Sequence, residues 1–197
     1  MSTRALRSPI SIVVLGLLAE QPLHPYGIRA LMRERGHDGL LKGGSASLYD
    51  AATRLANTGL IEVQDTTRAG RHPQRTTYRI TPAGVSSLQS WVRDTLADPE
   101  LSDQFTATLS FMYVLPQTEV ITLLQRRSDA LGVAVEDTDA AIAAAIEAGV
   151  AEIFLSEERY NQALRRAQRD WLTEFTDQLR GGELRWPAPR PTEEKRS

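Results

Sequence analysis

The chain has 197 residues, of which 24% are charged and 41% hydrophobic, with 23 Lys/Arg against 25 Asp/Glu, a net charge of −2 and no cysteine. This balance excludes collagen-like, disulfide-scaffold and wholly disordered chains, and the missing cysteine excludes thiol catalysis and thiolate metal centres. The three histidines, His24, His37 and His72, lack metal-ligand spacing, so neither a metal nor another cofactor is expected.

Ser8-Pro9 opens the first predicted helix, because serine caps a helix and proline suits its first position. Ile10, Val13, Val14, Leu17 and Leu18 follow at three- and four-residue spacing as one apolar stripe, and Pro22 ends it. The apolar run Ile10 to Ala19 is too short to span a bilayer. Gln21-Pro22-Leu23 is no small-residue cleavage site, so a cytoplasmic protein with no membrane partner is expected. A second helix starts at His24-Pro25 and runs to Arg35, with Ile28, Leu31 and Met32 inward, broken by Gly36 and Gly39. The third begins at Ser45 or Ala46, turns Leu48, Ala51, Ala52 and Leu55 inward, and ends at Asn57-Thr58-Gly59. The period then changes. Leu60 to Val63 reads as a strand, Asp65 to Gln74 as a polar loop with Gly70 and Pro73, and Thr76 to Ile80 as a second strand. Thr81-Pro82 caps a fourth helix carrying Val85, Leu88, Val92 and Leu96.

Three helices followed by strand, loop and strand is the layout of a winged helix-turn-helix, whose third helix enters the major groove while the wing meets the backbone or minor groove. Ser45, Ser47 and Tyr49 place hydroxyls at the start of that helix, where they and the backbone N–H groups suit phosphate oxygens or base edges. Lys42 sits just upstream, and Arg54 lies in the same helix. The loop carries Arg68, Arg71, His72 and Arg75 with no acid among them, a set suited to neutralising phosphates. Residues 1–84 hold 11 Lys/Arg against 6 Asp/Glu (net +5), and residues 85–197 hold 12 against 19 (net −7). A basic front and an acidic back fit a chain whose first part meets a polyanion.

Residues Ile12 to Gly84 resemble the PadR family of transcriptional regulators. The pieces that carry the resemblance are Leu15-Gly16-Leu17-Leu18, Leu23-His24-Pro25-Tyr26-Gly27-Ile28, the run Leu41 to Tyr49, Arg54-Leu55-Ala56-Asn57-Thr58-Gly59-Leu60-Ile61, and Arg75 to Gly84. The resemblance implies DNA contact by Ser45, Ser47 and Tyr49, by Tyr26 early in helix two, and by Arg75 at the wing base. The chain departs from the family pattern in three places. Asp50 stands where family members usually carry proline; an acid there repels phosphate, caps or complements the helix dipole, or accepts from a cytosine amino group. His24-Pro25-Tyr26 replaces His-Gly-Tyr, and Arg75-Thr76-Thr77-Tyr78 replaces Arg-Lys-Tyr-Tyr with one charge fewer.

In the back half, Phe105, Leu109 and Met112 mark a short helix ended by Pro116. A long helical pattern runs from Gln117 to about Ala148, is interrupted at Gly149, and resumes from Val150 to Leu179 with Ile153, Phe154, Tyr160, Leu164, Trp171, Leu172, Phe175 and Leu179. Two helices of roughly thirty residues, about 45 Å each, carry more apolar stripe than one chain buries alone, which points to a homodimer crossing through this region. The resemblance agrees, since longer members dimerise through such a part. A packed intramolecular bundle is the plainer reading. Leu184 to Ser197 is rich in proline, lacks a periodic face and reads as a flexible tail.

The resemblance also implies a small-molecule effector, often aromatic or phenolic, that releases a repressor from DNA. Trp91, Phe105, Phe111, Met112 and Tyr113 are the candidate lining, although aromatics at helical spacing are more often core. No enzyme is expected. Glu157-Glu158 and Asp137/Asp139 have no histidine or metal partner, and neither a nucleophile elbow nor a phosphate loop occurs. The expected fold is mainly α: a winged-helix DNA-binding domain at 1–98, including a linking helix, a helical dimerisation domain at 99–182, and a tail at 183–197. The expected partners are a pseudo-palindromic double-stranded DNA operator and a second copy of the chain. The alternative is a winged-helix module that binds protein rather than DNA.

Overall fold

The computed structural model describes residues 6–37, 39, 45–67 and 75–187. In chain order these form α1 (Pro9–Glu20), α2 (Pro25–Glu34), α3 (Ser45–Asn57), β1 (Ile61–Thr67), β2 (Arg75–Ile80), α4 (Pro82–Ala97), α5 (Ser102–Leu109), α6 (Gln117–Glu147) and α7 (Ser156–Gly181). Short 3₁₀ turns lie at Pro99–Leu101, Met112–Val114 and Glu152–Leu155. The fold is mainly α, with a winged helix-turn-helix formed by the first elements in the chain and two long helices by the last. Two units separate by their contacts: Met1–Thr95 with Leu101–Val114, and Leu96–Glu100 with Leu115–Ser197.

In the first unit, the Ser8 hydroxyl accepts from the Ser11 N–H (3.2 Å) and fixes the start of α1 at Pro9. Every residue from Ile10 to Leu18 is buried, which corrects the expectation of a single apolar stripe. The reason is topological: α1 is packed against α3, α5 and β2, so all its faces are inward. Gly16 is part of that packing, since a Cβ there would lie 2.2 Å from Cδ1 of the Phe111 ring. Arg7, just before α1, ties it to α4 and α5 by donating to the Gln104 amide oxygen (2.9 Å), the Asp94 carboxylate (3.0 Å), the Trp91 carbonyl (3.0 Å) and the Thr95 hydroxyl (2.6 Å).

The wing is longer than its polar sequence suggests. β1 extends through Asp65, Thr66 and Thr67, which pair antiparallel with Thr77, Thr76 and Arg75 past an irregularity between Val63 and Asp65. A ladder is made by the backbone, so exposed polar residues join it without an apolar face. Leu23 adds an isolated antiparallel bridge to β2, exchanging backbone bonds of 3.0 and 2.9 Å with Tyr78. The Thr81 hydroxyl then accepts from the Gly84 N–H (3.0 Å) and caps α4. Gly84 is needed there, because a Cβ would fall 2.0 Å from the Leu60 carbonyl oxygen. The short helix expected through Met112 instead ends at Leu109, and Met112–Val114 resumes as a 3₁₀ turn.

In the second unit, α6 and α7 form an antiparallel hairpin. Gln117 donates to the Leu179 carbonyl (2.9 Å) at one end. Towards the other, Gln162 donates to the Val135 carbonyl (2.6 Å) and the Asp139 carboxylate (2.9 Å), which also receives Arg166. The helical pattern from Val150 begins as the 3₁₀ turn and becomes α-helical only at Ser156. Arg127 is fully buried on α6 and donates to the carbonyls of Asp98 (2.5 Å) and Pro99 (3.3 Å). Burial pulls its guanidinium down to about 10, against the opposing pull of the Asp98 carboxylate. Among the described residues no helix is long and apolar enough to cross a membrane.

Candidate nucleic-acid interface

The helix-turn-helix pair is α2 and α3, which pack on each other. The His24 ring nitrogen Nδ1 accepts from the Gly27 N–H (2.7 Å), so histidine serves as the cap of α2 and Pro25 fills its first turn. This places Tyr26 on the first turn with 73% of its surface exposed, its ring 6.1 Å from that of His24. On α3, Leu48, Ala51, Ala52 and Leu55 form the buried face, and Tyr49, Asp50, Thr53 and Asn57 lie on the exposed one. Ser45 is the first residue of α3 and Ser47 is half-buried. Arg54 is half-buried, with its Nε shielded from solvent and unbonded. Arg75 opens β2, while Lys42, Arg68 and Arg71 lie outside the described residues. Arg79 on the same strand is engaged by Glu62 (2.8 Å).

Two exposed side chains on α3 were not among the sequence candidates as contacts, Thr53 and Asn57. The signal for them was the helical spacing from Tyr49, at i+4 and i+8. The Thr53 hydroxyl donates to the Tyr49 carbonyl (2.9 Å).

The five candidate effector-lining residues are packed. Trp91, Phe105 and Phe111 are buried, and Met112 and Tyr113 are half-buried. The Phe111 ring lies 5.9 Å from that of His37 and 6.3 Å from that of Tyr113. The Tyr113 hydroxyl donates to Glu20, whose carboxylate also holds Arg35 through two bonds of 2.7 Å. That pairing raises the Arg35 guanidinium above its ordinary value. Two open grooves of about 350 and 380 Å³ lie elsewhere, on α6 and α7, the first lined by Asp137, Ile142 and Leu155 and the second by Ile121, Gln125 and Arg180.

The acidic clusters of the back half serve the helix hairpin. Asp139 is bound by Gln162 and Arg166, which hold its carboxyl below the ordinary range, and Glu158 faces Arg165 at 3.7 Å. Among the described residues no group of three His, Asp or Glu side chains is placed to hold a metal ion.

Comparison with known proteins adds the following. Residues 14–90 match the model of the Transcriptional regulator PadR-like family. No curated protein matches. Solved structures similar to this chain include Bacillus subtilis PadR in complex with operator DNA, at 18% identity and a TM-score of 0.40, covering 86% of this chain and 98% of that one. A PadR-like transcriptional regulator from Bacillus cereus is similar at 17% identity and a TM-score of 0.38, covering 87% and 98%. Over residues 14–90, the segment that builds α2, α3 and the wing, the chain is similar to the PadR-like family of transcriptional regulators.

Proposed function

We propose that the protein is a sequence-specific DNA-binding repressor, acting in the cytoplasm as a homodimer on a pseudo-palindromic operator. The observation that carries this reading is the outward face of α3 together with the exposed Tyr26 at the start of α2, in a segment that matches a regulator family. In it, α3 lies in the major groove with Tyr49, Ser45 and Ser47 towards bases and phosphates. Tyr26 and Arg54 flank it, and Lys42, Arg68, Arg71 and Arg75 neutralise the backbone. Residues 1–98 bind DNA and residues 99–182 dimerise. Support for the dimer comes from α7, where Tyr160, Leu164 and Trp171 stay exposed at helical spacing on a face separate from buried Leu172, Thr176 and Leu179. Ile153 and Phe154 just before it are 73% and 80% exposed.

Release by an aromatic or phenolic molecule is the regulatory part of this reading. Trp91, Phe105, Phe111, Met112 and Tyr113 supply aromatic and thioether surface, and the Tyr113–Glu20 bond is one that a phenol entering the cluster competes for.

The test is a gel shift with DNA upstream of the protein's own gene, at stepped salt. Affinity should fall linearly on a log–log scale, with a slope of about −0.9 per phosphate neutralised. Tyr49→Ala and Arg75→Ala should bind more weakly while melting as the wild type does, and Arg75→Ala should reduce the slope by about 1. A protein-binding scaffold shows no salt-graded binding to any duplex, and that result would overturn the reading.

A further inference from the structure

Asp50 is the feature of α3 that the DNA-binding reading does not absorb. It is exposed, in the second turn of a helix that begins at Ser45. The positive end of a helix dipole acts within the first turn, so at this depth an anion gains little from it, and a cap is excluded by position. Arg54 stands one turn on, at the i+4 spacing that favours an ion pair, yet its Nε is shielded from solvent and bonded to nothing. Among the described residues nothing donates to the Asp50 carboxylate. Capping and dipole compensation are thereby removed, and among the described residues no intramolecular pair takes their place.

What remains is set by where the side chain lies. At about 100° per residue, Tyr49, Thr53, Asn57 and Asp50 span about 100° of the helix circumference. That arc is opposite the buried residues Leu48, Ala51, Ala52 and Leu55. If α3 lies in a major groove, a carboxylate on this arc faces base edges. There it has few partners of the right sign. Guanine offers two acceptors, thymine an acceptor and a methyl group, and adenine a donor beside an acceptor, all of which repel an anion at least in part. Cytosine offers its N4 amino group alone, a donor without an adjacent acceptor on the same base.

We propose that Asp50 is a specificity-determining residue that accepts a hydrogen bond from a cytosine amino group once in each half-site, and that it rejects other bases by charge repulsion. The inference rests on the reading of α3 as the DNA-contacting helix. It makes Asp50 a selective element that lowers affinity for arbitrary duplex while favouring one base pair.

The experiment is selection from a randomised duplex library, at one fixed salt concentration, by the full-length wild type, Asp50→Asn and Asp50→Ala. Asp50 is exposed, so both variants should melt with the wild type. The wild type should select cytosine at one position per half-site with at least about tenfold discrimination. Asp50→Asn should move that position towards adenine, whose N6 and N7 fit an amide. Asp50→Ala should lose preference there and bind random duplex more tightly, having lost a negative charge. If all three proteins select the same base at every position, the inference is overturned while the DNA-binding reading stands. If the wild type selects no sequence at all, that reading fails and takes this inference with it.

Discussion

Gly16→Ala gives the sharpest test of how the first unit is packed. Gly16 lies inside α1, and an alanine at an ordinary helix position would stabilise by about 1 kcal/mol relative to glycine. Here the added Cβ meets three carbons of the Phe111 ring at 2.2, 2.4 and 2.5 Å. Carbon atoms pack at about 3.5–4.0 Å, so the ring must retreat by more than about 1 Å. It is fully buried and lies against His37 and Tyr113, so it cannot retreat cheaply. Overpacking of this kind costs about 1–3 kcal/mol, which exceeds the helix gain at most of its range and reverses the sign expected from propensity. Urea unfolding followed by far-ultraviolet circular dichroism measures it. A loss of about 2 kcal/mol lowers the midpoint by about 1 M at a slope of ~2 kcal/mol/M. Adding Phe111→Ala to Gly16→Ala should cost less than the two single changes summed, because the clash and the cavity cancel. A Gly16→Ala protein as stable as the wild type, or more so, would refute the argument.

Three further outcomes follow from the same structure. Arg127→Ala should destabilise the protein by about 2–5 kcal/mol, through the cavity it leaves and the carbonyls of Asp98 and Pro99 it strands; a loss below about 1 kcal/mol in denaturant would show that it does not hold that segment. His37 is held below the ordinary imidazole value by burial and then by Arg35. The unfolded chain therefore takes up the proton first, and the stability His37 contributes is complete above about pH 6.5 and lost as pH falls through its folded value; His37→Gln should flatten that part of the pH–stability curve, and an unchanged curve would count against it. Leu164→Glu should convert a dimer into a particle of monomer mass by light scattering at micromolar concentration, whereas a wild type already at monomer mass would remove the dimer from the proposed function.

Much of the fold was legible because its punctuation is local. Ser8-Pro9, His24-Pro25 and Thr81-Pro82 each place a side-chain acceptor before a proline, and each opens a helix where expected. The boundaries of α6 were marked by Pro116 and Gly149. The extension of β1 was not legible, since Asp65-Thr66-Thr67 has no apolar alternation and only its partner strand makes it a strand. Arg127 was hidden for a different reason. It falls among Leu124, Leu131 and Val135 in an apolar pattern, and a charge there reads as solvated until the carbonyls it serves, some 28 residues away, are seen to face it. The Tyr113–Glu20–Arg35 cluster joins residues 93 positions apart, beyond any spacing rule. At the candidate interface the sequence named Tyr26 and Tyr49, which are exposed, but could not choose among the roles open to Asp50. That choice needed the depth of the residue in α3 and the absence of a donor to it among the described residues.

The division of the chain bears on how the protein can be dissected. The first unit takes in Leu101–Val114 after the chain has already passed through Leu96–Glu100 of the second. A fragment that stops at residue 98 therefore lacks Phe111, and with it the ring that fills the notch over Gly16, together with the Gln104 amide that Arg7 donates to. Isolating the winged helix by a single cut at that point removes part of its own interior. A truncation meant to report on autonomous folding should run to Val114, and a shorter piece that misfolds says nothing about whether the intact unit stands alone.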